Sequence, residues 1–354
     1  MLGPMAAAPS TGRRRPAALA LLLAVLAASA GCTGALSPGD GTGSGDAAPA
    51  TALVPADANA VTYVDVDRAL THDTLRRVWN ASIGDVEGSI GPDTVDGFVV
   101  QASRASGLPA DGLVAATGFT SHAGSPLGPN ATDTSYRGTI IASNWTAAGV
   151  ARSVENTSDV TLEETTYAGH TVYEAPRGHS SVGALDDRLV VGNLTAVRDV
   201  LEVAAGDEAA LEGDLLAAFE DTRDGYVRYA SAVGEDQVPT SALNGTGAVS
   251  DPGALTTVER VSGALYVDGD TVGATLTMAV AGGEDAALDL RDVVRGAFAY
   301  GRTAIENTSA ADRYGGLLER DSVDVEQSGS SVTVVSENPV AEITPLVSRA
   351  NEST

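Results

Sequence analysis

Four histidines, His72, His122, His170 and His179, and a single cysteine, Cys32, have the widest chemical repertoire in this sequence. No two of the histidines stand four residues apart or in an H-E-x-x-H setting, so the imidazoles form no zinc pattern. His170 and His179 could meet across neighbouring hairpins, but two surface histidines without a joint role are the expectation. For serine hydrolysis the nearest approach to G-x-S-x-G is the run 178–183, Gly-His-Ser-Ser-Val-Gly, whose spacing is wrong. The run 41–45 has the glycine content of a phosphate loop, yet the chain contains no Lys at all and so lacks the lysine such a loop requires. Asp65 with Asp67, and Asp268 with Asp270, offer the oxygen ligands a hard cation prefers. At this acidity such pairs are expected throughout, so no metal and no cofactor is assigned. Trp79 and Trp145 are expected as core or interface anchors. No catalytic residue emerges, and the chain is expected not to be an enzyme.

Cys32 has a setting of its own. Arg13, Arg14 and Arg15 precede an apolar run over 17–30, and Ser29-Ala30-Gly31 leads small side chains up to the cysteine. Fourteen residues are too few for a free-standing membrane helix, which needs about 20. The pattern predicts a signal peptide over 1–31, and it resembles the lipobox of exported lipoproteins, in which cleavage leaves Cys32 as a lipid-bearing N-terminus. Ser29 stands where that box usually has an aliphatic residue. With one cysteine no disulfide forms within the chain, and no later apolar stretch reaches 18 residues. The arginine cluster leaves open the general and the twin-arginine export routes.

The charge balance narrows the partners. Against 47 acidic residues stand 21 basic ones, every one of them Arg, for a formal charge of −26. Loss of Arg13, Arg14 and Arg15 with no acid takes the mature chain from −26 to −29. Such a surface repels phosphate backbones and anionic headgroups, which excludes nucleic acid and leaves the membrane reachable only through the N-terminal lipid. In molar salt the Debye length falls to about 3 Å and the self-repulsion is screened, so the composition is that of a halophile. Ten asparagines are present and eight lie in N-x-Ser/Thr sequons: Asn80, Asn130, Asn144, Asn156, Asn193, Asn244, Asn307 and Asn351. With Ser and Thr at about a sixth of the residues, chance gives about two, so an N-glycosylated exterior is expected. Asn130 and Asn244 are favoured as loop residues, whereas Asn144 and Asn193 begin helix-like runs where a cap would also explain them.

These residues must be positioned by regular elements. Residues 32–51, a lipidated N-terminus followed by Gly, Ser, Thr and Pro, read as a flexible tether. Strands are expected over 60–66, 113–120, 136–143 and 226–232, and helices over 71–83, 93–106, 146–154 and 194–205. A further helix presents Leu211, Leu215 and Phe219 on one face. Hairpins are predicted at 160–175 about Ala168-Gly169, at 181–192 about Asp186-Asp187, at 258–280 about Asp268-Gly269, and at 323–335. Val272, Ala274, Leu276, Met278 and Val280 alternate with small or hydroxyl residues, which buries one face of that strand. A long helix over 284–305 buries Ala287, Leu290, Val294, Phe298 and Ile305, and short helices over 310–318 and 340–347 follow. Aligned at an offset of 163, 144–176 and 307–339 share Asn-x-Thr/Ser-Ala-Ala and Glu-x-Pro. The fold class is therefore α+β, with antiparallel or mixed sheets, hairpins and packed helices. Two related subdomains over 52–206 and 207–354 are favoured over a single domain.

Leu53-Val54-Pro55-Ala56-Asp57, Tyr63-Val64-Asp65-Val66-Asp67, Tyr167 through Glu174 and Arg188 through Asn193 together resemble uncharacterised exported lipoproteins of haloarchaea, and more remotely a bacterial extracellular family of unknown function. The resemblance covers most of 52–348 and implies location and architecture; it supplies no catalytic residue. The expectation is a cell-surface lipoprotein of a halophilic archaeon at the extracellular face of the cell membrane. It would serve as a non-enzymatic interaction, envelope or solute-binding module, with an envelope or transport-complex protein as its partner. A secreted hydrolase whose site converges only in the fold, and the substrate-capture subunit of an uptake system, are the alternatives.

Overall fold

The computed structural model describes residues 48–83, 94–121, 136–158, 160–176, 180–234, 252–306 and 323–343. Cys32, His122, His179, Asn130, Asn244, Asn307 and Asn351, and the helix expected over 310–318, lie outside them. The described residues form an α+β fold on one open sheet of twelve strands, antiparallel at every pairing, in the order β11-β12-β10-β9-β8-β1-β2-β3-β7-β6-β5-β4. The first seven strands are β1 (Ala60–Asp65), β2 (Leu113–Ser121), β3 (Tyr136–Ser143), β4 (Glu163–Tyr167), β5 (His170–Glu174), β6 (Ser181–Ala184) and β7 (Leu189–Gly192). The other five are β8 (Val227–Ala232), β9 (Val258–Asp268), β10 (Thr271–Val280), β11 (Val323–Ser328) and β12 (Ser331–Pro339). The helices are α1 (Val66–Thr71), α2 (Asp73–Ile83), α3 (Val95–Ser106), α4 (Ala147–Ser158), α5 (Leu194–Ala205), α6 (Gly213–Glu220) and α7 (Gly283–Glu306).

Because side chains alternate across a strand, the register assigns each residue a face. Val61 on β1 stands opposite Phe119 on β2, and Ile140 on β3 opposite Val190 on β7. This face carries α5 and α6, whose Val197, Leu201, Leu215 and Phe219 close the first core. Ile141, Val182, Leu189 and Val191 point to the other face, where α4 places Val150 and Ala151. At the far end Met278, Val325, Val332 and Val334 lie on that same second face, under Ala287 and Leu290 of α7. The alternation predicted for β10 is thus real, and its apolar set is the helix-covered one. The opposite face of β10, β12 and β11 shows Thr275, Thr277, Thr333, Asp324 and Glu326; among the described residues no helix lies over it. The Thr277 and Thr333 hydroxyls meet there at 3.2 Å.

Outward from the central β1–β8 pair, β1-β2-β3 continues into β7-β6-β5-β4 and β8-β9-β10 into β12-β11. The hairpins matched by the 163-residue offset, β4–β5 and β11–β12, take different places: β12 pairs with β10, whereas β5 pairs with β6 rather than with β3. By position β11–β12 corresponds to β6–β7. The β1–β8 pairing joins strands of 60–192 to strands of 227–339 in the same sheet.

Three local expectations change. The turn of the β9–β10 hairpin is Gly269-Asp270, because Asp268 pairs with Thr271; Gly269, at φ +59°, takes the first central position, as a type II′ turn requires. The chain turns helical directly after β1, since the Asp65 carboxylate accepts the Arg68 N–H at 3.1 Å and caps α1. The end of the tether is packed: Ala50 is buried, and its N–H donates to Thr117 Oγ1 at 3.0 Å. No helix among the described residues is long and apolar enough to cross a membrane.

Candidate functional site

Helix α5 starts where the Asn193 side chain accepts the Ala196 N–H and stops at Gly206, whose φ of +81° suits a left-handed cap. Three residues apart on it, Asp199 and Glu202 share a face. After the cap the chain doubles back, with the Asp207 and Glu208 N–H groups both donating to the Glu202 carbonyl, which returns Glu208 to the helix end. The Ala56 N–H donates to the Ala209 carbonyl at 3.0 Å and the Leu211 N–H to the Val54 carbonyl at 2.7 Å, which brings Asp57 in beside them. From the sheet, Tyr136 at the start of β3 turns its hydroxyl toward Asp199, and the Tyr167 hydroxyl at the end of β4 donates to Glu202 Oε1.

Carboxylate oxygens of Asp199, Glu202 and Glu208 lie within 4.8 Å of one another, all three residues being half-buried. Burial raises the Asp199 pKa, and the charges of Glu202 and Asp57 add to this while the Tyr136 hydroxyl opposes it. Burial also raises that of Glu208, helped by Asp199, Glu202 and Asp57. Tyr136 is held protonated by burial and by Asp199, and Tyr167 is raised chiefly by its bond to Glu202. The negative end of the α5 dipole points the same way. Arg198, next to Asp199 in the chain, stacks on the Tyr167 ring at 4.7 Å and pairs with Glu174 at 2.9 Å. Carboxylates and phenols alone make this a donor set for protons or for a hard cation such as Ca²⁺ or Mg²⁺, and a poor one for soft metals.

Three of the four carboxylates singled out in the sequence have other partners. Asp65 is buried as the α1 cap, Asp268 pairs with Arg223 at 3.1 Å, and Asp270 pairs with Arg77 at 2.6 Å. Arg223 also lies 3.7 Å over the Tyr266 ring, and Tyr266, raised to about 12 by burial and then by Glu337, donates to that carboxylate at 2.7 Å. His72 meets the Tyr226 ring edge-on at 5.5 Å, and His170 ends the β4–β5 turn. Trp145 anchors the second core and donates to the Pro109 carbonyl at 2.8 Å, the structural role expected of it. The cluster on α5 escaped the sequence reading, although Asp-x-x-Glu in the last turns of a helix, with Asp-Glu just past its Gly stop, is a signal that could have marked it.

No family model matches the chain, and no curated protein does. Among solved structures it is similar to TP0453 in crystal form I, with a TM-score of 0.42 and 13% identity over 86% of this chain and 98% of that one. Form III gives 0.43 and 12% over 84% and 97%. These are distant likenesses in the arrangement of elements.

Proposed function

We propose that the chain is an exported, lipid-anchored protein of a halophilic archaeon, held by Cys32 at the extracellular face of the cell membrane. There it works as a non-enzymatic interaction, envelope or solute-binding module, with a protein of the envelope or of a transport complex as its partner. The observation that carries this reading is the setting of the lone cysteine, behind an arginine cluster, an apolar run and small residues. The charge of −26 without a single Lys supports a salt-rich exterior. Among the described residues, the carboxylates gathered around Asp199 offer the oxygen ligands a hard cation prefers, which supports a solute-binding role.

The test is Cys32→Ser expressed in a haloarchaeal host. The unsubstituted protein is expected in the membrane fraction, and the variant in the medium or soluble fraction at altered electrophoretic mobility. A variant that stays with the membrane at unchanged mobility overturns lipidation at Cys32.

A further inference from the structure

The structure separates the four sequons among the described residues, and we infer that Asn156 is a glycan-bearing site while Asn193 is not. The inference rests on the exported reading above, because the transferase and its sugar donor act outside the cytoplasm. N-glycosylation joins the asparagine Nδ2 to the anomeric carbon of a sugar carried on a polyprenyl phosphate. The N–C1 bond forms as the C1–O bond to the phosphate breaks; the phosphate leaves with the electron pair, and the amide proton passes to a base of the transferase. The acceptor must therefore bring its amide to an enzyme and afterwards leave room for a bulky, hydrated group.

Asn193 is pinned at a strand–helix junction. Its Oδ1 accepts the Ala196 N–H at 2.8 Å, its N–H donates to the Arg137 carbonyl at 3.2 Å, and its carbonyl accepts the Val197 N–H at 3.0 Å. The preceding Gly192 lies so close to β3 that a Cβ there would stand 2.5 Å from the Arg137 carbonyl oxygen. Freeing the sequon means undoing the start of α5, the helix that closes the first core. Asn80 is half-buried and holds α3 to α2, its Oδ1 accepting the Val95 N–H at 3.0 Å. Asn144 is exposed, but its Oδ1 lies against Gly112, where a Cβ would come within 2.3 Å, and its N–H donates to the Gly112 carbonyl. The hydroxyl of its sequon partner Thr146 accepts the Gly149 N–H at the start of α4.

Asn156 stands instead at the end of a helix. It is exposed in the last turn of α4, whose buried residues are Val150, Ala151 and Ser153. The Thr157 and Ser158 hydroxyls donate back to carbonyls of the preceding turn, at Ser153 and Val154. Such bonds compete with the helical ladder, and a terminal turn opens at the smallest cost in the element. The sequon can thus leave the helix for a transferase while Val150, Ala151 and Ser153 stay buried, and a sugar at Nδ2 projects into solvent.

Cleavage after Arg isolates each sequon: 78–104 holds Asn80, 138–152 holds Asn144, 153–177 holds Asn156 and 189–198 holds Asn193. Mass spectrometry of these peptides from protein purified out of haloarchaeal membranes is expected to show 153–177 shifted by a glycan mass and 189–198 at its bare mass. In Asn156→Gln the shift at 153–177 disappears. A bare 153–177 beside a glycan on any other sequon, or a glycan on 189–198, overturns the assignment while leaving the exported glycoprotein standing. Bare peptides at all eight sequons overturn both.

Discussion

A carboxyl group that binds its proton more tightly in the folded chain than in the unfolded one favours folding at low pH. Asp199 and Glu208 are such groups, raised first by burial and then by the acidic groups around them. Their contribution is full below the ordinary carboxylate values of about 3.9 and 4.3, and it is lost as pH rises through the raised folded values. At neutral pH the cluster is thus a local strain. Asp199→Asn is expected to relieve it, stabilising the protein at pH 7 by about 0.5 kcal/mol, since half-exposed carboxylates are screened by solvent. The variant should also show a flatter decline between pH 4 and 7 than the parent in urea titrations at constant high salt. A variant destabilised equally at both pH values would show that Asp199 acts by packing. None of this was legible as a site, because Asp57, Tyr136, Tyr167 and Glu208 come from four separate stretches that only the strand order and the Gly206 cap bring together. Conversely, Asp268 and Asp270, which offer oxygen ligands side by side in the sequence, pair separately with Arg223 and Arg77.

Strands and hairpins were the most legible elements, since period-two alternation and turn residues are both local signals. Ala168-Gly169 closes β4–β5 as expected, with φ of +47° and +82°. The β9–β10 turn was misplaced by one residue, because Asp-Gly suits one two-residue turn and Gly-Asp another. Long-range pairings were not legible: nothing near β7 announces that it lies beside β3. Within β10, Gly273 lies under the Tyr266 ring, where a Cβ would fall 2.2 Å from Cζ. Gly273→Ala is expected to cost about 1–3 kcal/mol by overpacking. On the other face, Leu290 of α7 is fully buried, and Leu290→Ala should cost about 2–5 kcal/mol. Both are read as shifts in urea midpoint at unchanged slope. A neutral Leu290→Ala would mean that α7 is not seated on β10, β11 and β12. The exposed edges carry acids, Glu163 and Glu164 on β4 and Asp324 and Glu326 on β11, which opposes pairing with another sheet edge.

Across the whole molecule, charge outweighs every other feature of the composition, and it was fully legible because counting residues needs no fold. A chain at −26 resists compaction until salt screens it, so thermal unfolding followed by circular dichroism should shift upward by about 5–10 °C between about 0.5 M and about 3 M KCl. A midpoint independent of KCl would remove the halophilic reading. Architecture was legible as a class and not as a topology: α+β follows from mixed periodicities, whereas one sheet running through a β1–β8 pair depends on contacts more than 160 residues apart. The central claim, attachment through Cys32, is tested most directly by the mass of the N-terminal peptide of the protein recovered from haloarchaeal membranes. The account predicts a chain beginning at Cys32 and heavier than its sequence by a thioether-linked lipid. A chain that begins at any other residue, or a Cys32 at its unmodified mass, would contradict it.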